Sequence, residues 1–339
     1  MVTYIRNKVE GQSYRNLEQM KPLIVIAGPT CVGKTATALE LATLLNAEVI
    51  SADSRQVYRG MDIGTAKVSK EEREHVPHHL IDVVNPDELF SVADFVKHAE
   101  AAIKEIESRG KIPLIVGGTG LYVRVLTEGY AIPTVPPDNE IRKQLAKEAQ
   151  VFNCQSLHKE LAVVDPETAS KIHPNDFRRV SRALEVYRTT GIPISQLKRQ
   201  KRIVSMHNGN GENQENNVFK FALTIERNEL YEKIDNRADD QIKMGLLEEV
   251  RGLLAQGYSP SLRAFQTFGY QELIPYLEGL YSLEEGIYRI KRNTRRFAKR
   301  QWTWFKQEPN VQWIEVTDKT PSREIAETIF KQYKKKTGR

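Results

Sequence analysis

The chain has 339 residues, 40% of them hydrophobic and 28% charged, which is room for about two ordinary domains and a sizeable core. No apolar run approaches the roughly 18 residues that cross a bilayer; charges at Arg6, Lys8, Glu10, Arg15 and Glu18 interrupt any secretory leader, and Cys31 and Cys154 are the two cysteines. Membrane-spanning and disulfide-stapled classes are thereby excluded, and a soluble protein of the reducing cytoplasm is expected.

Residues 1–20 read as an N-terminal extension. Leu23 to Ala27 is a short apolar run, followed by a glycine turn and a helical pattern from Thr35 to Leu45. The turn, Gly28-Pro29-Thr30-Cys31-Val32-Gly33-Lys34-Thr35, fits G-x-x-x-x-G-K-[ST] in the strand-loop-helix context that this motif requires. Its glycines let backbone N–H groups face an anion, the helix N-terminus adds partial positive charge, and Lys34 adds a full one. Thr35 is the expected Mg²⁺ ligand through its hydroxyl. The motif specifies a diphosphate-containing ligand and leaves the reaction open.

Val49 and Ile50 end a second strand at Ser51-Ala52-Asp53-Ser54, and Leu80 to Val84 is a third candidate. Asp53 should face the cradle, because α/β sheets bind ligands beyond strand carboxyl ends; a turn or N-cap role is equally available to it. Ser91 with Asp94 forms a capping box for a helix that Gly110 stops. Ile112 to Val116 then makes a strand ending in Gly117-Gly118-Thr119-Gly120, where a motor or switch NTPase would carry an acidic Mg²⁺ ligand. Asp82 lies inside its apolar run and is a poor substitute, so hydrolysis coupled to work is not favoured.

After Tyr130 the prolines 133, 136 and 137 break the pattern, and Asp138 to Gln196 reads as helix. Asn208 to Asn217 has no apolar residue and reads as a flexible loop, Phe219 to Ile225 as a strand, and Glu229 to Phe305 as helices broken at Gly245, Gly257, Gly269 and Gly279. The expected fold is α/β: a P-loop parallel sheet covered by helices on both faces, with an inserted all-helical subdomain and a helical C-terminal region. The core comprises 21–130 and 218–315, the insertion 131–207, the loop 208–217 and a tail 316–339.

The net charge of +6 is mild, but Arg289, Lys291, Arg292, Arg295, Arg296, Lys299, Arg300 and Lys306 fall between Gly286 and Lys306 without an acid. Such a run can be a solvated helix face. Tyr288, Phe297, Trp302, Trp304 and Phe305 interleave with it, and aromatic faces beside cations suit RNA.

Six blocks, in order, resemble the bacterial tRNA dimethylallyltransferase family: Gly28 to Thr35, Ser51 to Ser54, Gly60 to Lys67, Gly117 to Thr119, His173-Pro174-Asn175-Asp176, and Ala298-Lys299-Arg300-Gln301. They span about residues 22 to 306, and together they are far more specific than the P-loop alone. The resemblance implies transfer of the dimethylallyl group of dimethylallyl diphosphate to N6 of the adenosine 3′ to the anticodon of tRNA, by a monomer using Mg²⁺. It implies that Asp53 is the general base, with Thr119 and Arg237 near the reacting groups. It further implies tRNA contacts by Asp53, Ser54, Arg55 and Gln56, by Arg142, by Arg178, Arg179, Val180, Ser181 and Arg182, and by Gln266, Thr267, Phe268, Gly269, Tyr270 and Gln271. The last segment keeps the Gly-Tyr of the family but carries Gln where some members have basic residues. Cys31 and Val32 stand where Ala-Ser is common, at positions that act through the backbone. The zinc-finger Cys and His pairs of eukaryotic relatives are missing.

Taken without the resemblance, Arg237 reads as a surface helix residue, Thr119 as a cap for the helix near Leu121, and Arg178 and Arg182 as one helix face that meets either phosphates or Glu185. Two other functions share these features: a small-metabolite kinase with ATP in the cradle, and a non-enzymatic RNA-binding protein that senses a ligand.

Overall fold

The computed structural model describes residues 22–128, 135–200 and 218–338. The expected extension 1–20 and loop 208–217 lie outside them. In chain order the elements are β1 (Leu23–Ala27), α1 (Lys34–Leu45), β2 (Ala47–Ser51), α2 (Lys70–His75), β3 (His78–His79), α3 (Val92–Ser108), β4 (Ile112–Val116) and α4 (Gly120–Glu128). There follow α5 (Asn139–Val164), α6 (Pro166–Ala169), α7 (Phe177–Thr190) and α8 (Ile194–Gln200). The chain then returns through β5 (Val218–Thr224), α9 (Arg227–Lys243), α10 (Leu246–Ala255), α11 (Tyr270–Leu277), α12 (Leu283–Lys306), β6 (Val311–Glu315) and α13 (Ser322–Thr337).

The strands form one parallel sheet, ordered β3-β2-β4-β1-β5-β6. Every residue of β1 is buried, because helices cover both faces and the strand's alternating side chains all need apolar partners. Leu23, Val25 and Ala27 join Ile50 and Ile115 beneath α3, α4 and α10. Ile24 and Ile26 join Val49, Leu114 and Phe221 beneath α1, α9 and α13. Full burial of each large aliphatic is worth roughly 2 kcal/mol, so the central strands are a firm base for the loops at their carboxyl ends.

Local signals hold at most boundaries. Ser91 Oγ accepts from Asp94 N and Asp94 Oδ2 from Ser91 N, completing the capping box of α3, and Gly110 takes φ +75° beyond its end. The helices α5 to α8 share a core of their own around Leu145, Leu157, Leu161, Val180 and Leu184.

Three expectations change. The third strand is His78–His79, because the chain kinks through positive φ at Leu80 and Asp82; Val84 keeps an isolated parallel bridge to Tyr58. Beside β5 lies the edge strand β6, in which Ile314 is buried and Gln312, Trp313 and Glu315 are not, so it has little apolar signature. Within the expected tail the chain forms α13, which buries Ile325, Ala326, Ile329 and Tyr333 against the α1 side of the sheet.

Glu48 of β2 is a buried carboxylate held by Arg109, His79 and Lys111. Burial alone would raise its pKa, but hydrogen bonds from Arg109, His79 and Lys111 bring it down to about 2. A depressed carboxylate stabilises the fold above its unfolded pKa of 4.5 and loses that contribution as pH falls toward about 2. Glu48→Gln should therefore cost about 2 kcal/mol at neutral pH in urea unfolding, with a shallower loss of stability on acidification than wild type. Matching unfolding curves for variant and wild type at neutral pH and on acidification would contradict this role.

Candidate active site

The loops after β1, β2 and β4 converge beyond the sheet's carboxyl edge, the expected ligand position. Gly28 has φ +134°, and a Cβ there would sit 2.6 Å from the Leu223 carbonyl oxygen, so glycine is required. Gly33, with φ +97°, delivers the chain into α1, whose first N–H groups lack intrahelical acceptors. Lys34 Nζ donates to the Pro29 carbonyl at 2.6 Å, curling over the loop. Desolvation pushes its ammonium down to about 8; Asp53 and Cys31 oppose that shift and Arg237 adds to it. Thr35 is exposed in the first turn of α1.

Asp53 follows β2, half-buried, with Oδ1 accepting from Arg55 N at 2.8 Å. It makes the turn that its position suggested, yet it also stands close enough to Lys34 to act on its charge. Thr119 does not cap α4 with its side chain: Oγ1 accepts from Ser54 N at 3.1 Å, while its own N–H donates to the Ala52 carbonyl at 3.1 Å. The β2 and β4 loops are thus stitched at Asp53, and a Cβ on Gly117 would meet the Ala52 carbonyl oxygen at 2.2 Å. Arg237 reaches from α9 to the P-loop, donating to Thr30 Oγ1 at 3.3 Å and Cys31 Sγ at 3.5 Å. Its surface-pair reading is set aside.

The residues expected to touch tRNA divide. Arg55 is half-buried and donates to the Arg263 carbonyl, whereas Gln56 spends its amide internally on Ser51, Thr65 and Ala66. Arg142 and Arg182 both converge on Glu185, which is 1% exposed, and Val180 is wholly buried, so its side chain cannot meet RNA. Arg178 and Arg179 face solvent, beside half-buried Ser181. In the next segment Thr267, Gly269 and Tyr270 are buried, leaving Gln266, Phe268 and Gln271 with exposed surface. On α12, Arg289, Lys291 and Arg295 pair with Glu285, Asp239 and Asp235. Arg296, Lys299, Arg300 and Lys306 have no carboxylate partner among the described residues. Lys306 lies 4.9 Å over the half-exposed Trp302 ring, and Arg300 lies 5.7 Å from that of Phe297.

Two contributors carry no role assigned from the sequence. Glu249 of α10 accepts from the N–H groups of Asp62, Ile63 and Gly64 and from the Tyr270 hydroxyl, pinning the Gly60 to Lys67 block. The signal for it was the glycine spacing of that block, which exposes successive N–H groups to one anion. Gln301 of α12, inside a recognised block, bonds both the P-loop and the β4 loop. Asp82 is saturated by Lys67 and Arg73, which removes it as a metal ligand.

Mg²⁺ fits the cradle in one mode. Among the described residues no group of three His, Cys, Asp or Glu side chains could enclose a cation. The Thr35 hydroxyl beside ligand phosphate oxygens and waters is the arrangement Mg²⁺ prefers.

This fold and this loop define a P-loop α/β protein with a partly exposed carboxylate beside the cradle. The family described as "IPP transferase" matches residues 56–308 and "Isopentenyl transferase" matches 21–85. The tRNA dimethylallyltransferase of Symbiobacterium thermophilum is 46% identical over 93% of this chain and 96% of its own length. That of Natranaerobius thermophilus is 44% identical over 98% and 99%. The crystal structure of the full-length tRNA isopentenylpyrophosphate transferase of Bacillus halodurans matches with TM-score 0.66 and 42% identity, over 94% of this chain and 99% of that one. A eukaryotic dimethylallyltransferase acting on tRNA matches with TM-score 0.77 and 30% identity, over 94% and 80%. The chain belongs to the IPP transferase family of tRNA prenyltransferases.

Inorganic diphosphate serves as a probe of the cradle. Lys34 attracts it only when charged, so affinity falls as pH rises through about 8. Calorimetry should show several-fold weaker binding at about pH 9.5 than at about pH 7, with a smaller change for Lys34→Arg, whose charge persists. Identical pH profiles for the two proteins would remove Lys34 from the cradle.

Proposed function

We propose that the chain transfers the dimethylallyl group from dimethylallyl diphosphate to N6 of the adenosine immediately 3′ to the anticodon of tRNA, releasing diphosphate. The proximity of Asp53 to Lys34, on the loops after two strands that flank β4, carries this reading, because the reaction needs a base and an anion trap side by side. The N6 lone pair is delocalised into the purine, so the amine is a weak nucleophile. Asp53 takes its proton as the C–N bond forms. The C–O bond to diphosphate breaks, and charge grows on the leaving group between Lys34, the α1 N-terminus and Arg237, which are oriented in advance. Thr119 holds the Asp53 loop through Ser54 N. Mg²⁺, bound with Thr35, would neutralise part of the diphosphate charge.

The acceptor adenine must leave its stack to reach these loops. Exposed Arg178 and Arg179 on the insertion, with Arg296, Lys299, Arg300 and Lys306 on α12, are suited to hold the RNA backbone while it does so. A small-metabolite kinase would share the cradle but has little use for that surface. No helix of the described residues is long and apolar enough to cross a membrane.

Incubation with labelled dimethylallyl diphosphate and tRNA should place label in RNA; ATP turnover without RNA labelling would overturn the assignment. Asp53→Ala should lower turnover by roughly 10² to 10⁴ while tRNA affinity changes little, and near-normal turnover would exclude Asp53 from the chemistry. Binding of tRNA should weaken with salt, with a log-log slope of roughly −3 if about four phosphates are neutralised. A flat response would rule out the basic surfaces as the docking site.

A further inference from the structure

Gln301 lies on α12 at the seam between two apolar clusters: Ala298, one turn before it, packs with the α1 side of the sheet, and Phe305, one turn after, with the opposite side. The residue is 6% exposed, yet both ends of its amide are used. Oε1 accepts from Thr30 N at 2.9 Å, and Nε2 donates to the Gly118 carbonyl at 3.0 Å. The second contact is close: a Cβ on Gly118 would sit 2.0 Å from Nε2. Three residues along the same helix, Trp304 lies so near Gly120 that a Cβ there would meet its ring at 2.1 Å. Glycine at 118 and 120 is therefore what lets α12 lie directly on the β4 loop.

Each loop held by this amide carries reaction chemistry. Thr30 belongs to the diphosphate cradle and its hydroxyl receives Arg237. Gly118 precedes Thr119, which orders the Asp53 loop. A buried amide that donates to one loop and accepts from the other fixes their relative position more firmly than apolar packing, since a shift of either leaves a buried polar group unpaired. Lys299, Arg300 and Trp302 flank Gln301 in sequence and face solvent, and a groove beside them is lined by Lys299, Arg300, Thr303, Trp304 and Gln307.

We propose that Gln301 is a positioning residue that keeps the donor cradle in register with the Asp53–Thr119 loops, and that it thereby couples acceptor docking on the outer face of α12 to donor binding. This rests on the tRNA prenyl-transfer reading above. An RNA backbone seated on Lys299 and Arg300 restrains the helix whose inner face holds Thr30 and Gly118, so tRNA and donor should each bind more tightly in the presence of the other, by the same factor.

The test compares wild type with Gln301→Leu, which keeps the volume but removes both hydrogen bonds, and with Gln301→Glu, which keeps an acceptor for Thr30 N and loses the donor to Gly118. Inorganic diphosphate binding, with Mg²⁺ and with or without tRNA, is measured alongside KM for each substrate and kcat. Wild-type labelling of tRNA is the control for the reaction itself, so its failure would fall on the functional reading and not on Gln301. For Gln301→Leu we expect kcat to fall about 10- to 100-fold, KM for the donor to rise, tRNA affinity to stay within about twofold, and the effect of tRNA on diphosphate binding to vanish. A residue that only stabilises the fold would shift thermal unfolding without separating the two KM values. If Gln301→Leu does not fold, Gln301→Glu is read by the same criteria, with a smaller expected loss. Unchanged donor KM and kcat, retained coupling, or a parallel loss of tRNA affinity would overturn the proposal.

Discussion

Loops from three strands meet at separations that only glycine permits. At Gly28 an added methyl group would strike the backbone of β5; at Gly117 it would strike the turn after β2; at Gly118 and Gly120 it would strike α12. Close approach of backbone to backbone brings the lysine of one loop within electrostatic reach of the carboxylate of another, and the rest of the site follows from that proximity. The buried central strands set the loop origins, and the glycines remove the bulk that would hold the loops apart.

Charge is distributed in keeping with this geometry. Lys34 and Arg237 converge on the cradle, so it concentrates positive charge and suits a multiply charged anion. The acids that could have competed are engaged elsewhere: Asp82 by Lys67 and Arg73, Glu48 by Arg109 and Lys111, Glu249 by a run of backbone N–H groups. Asp53 keeps a partly exposed carboxylate beside the cradle.

Much of this was legible in the residues. The strands carrying the P-loop and the Gly117 loop, the α3 capping box and the return strand β5 show strong apolar runs with clear turn chemistry, and these local signals agree with the tertiary answer. The edge strand β6 has one buried side chain and leaves little pattern, while β3 depends on a positive-φ kink at Leu80 and Asp82 that residue type does not announce. Among site residues, Asp53 and the cradle stand in contiguous motifs, whereas the Arg237 contact with the P-loop spans about 200 positions and is set by the packing of α9. The two ion pairs of buried Glu185 differ in the same way: that with Arg182 is local to α7 and was open to sequence reading, whereas that with Arg142 joins two helices across 43 positions.

In the proposed reaction a prenyl diphosphate and an adenine meet between Lys34 and Asp53. A structure of the chain with an anticodon stem-loop and an unreactive dimethylallyl diphosphate analogue tests it most directly. The diphosphate should lie along Gly28 to Thr35, with N6 of the unstacked adenine within hydrogen-bond reach of the Asp53 carboxylate. A nucleoside triphosphate preferred in that loop, or an adenine seated away from Asp53, would contradict the account.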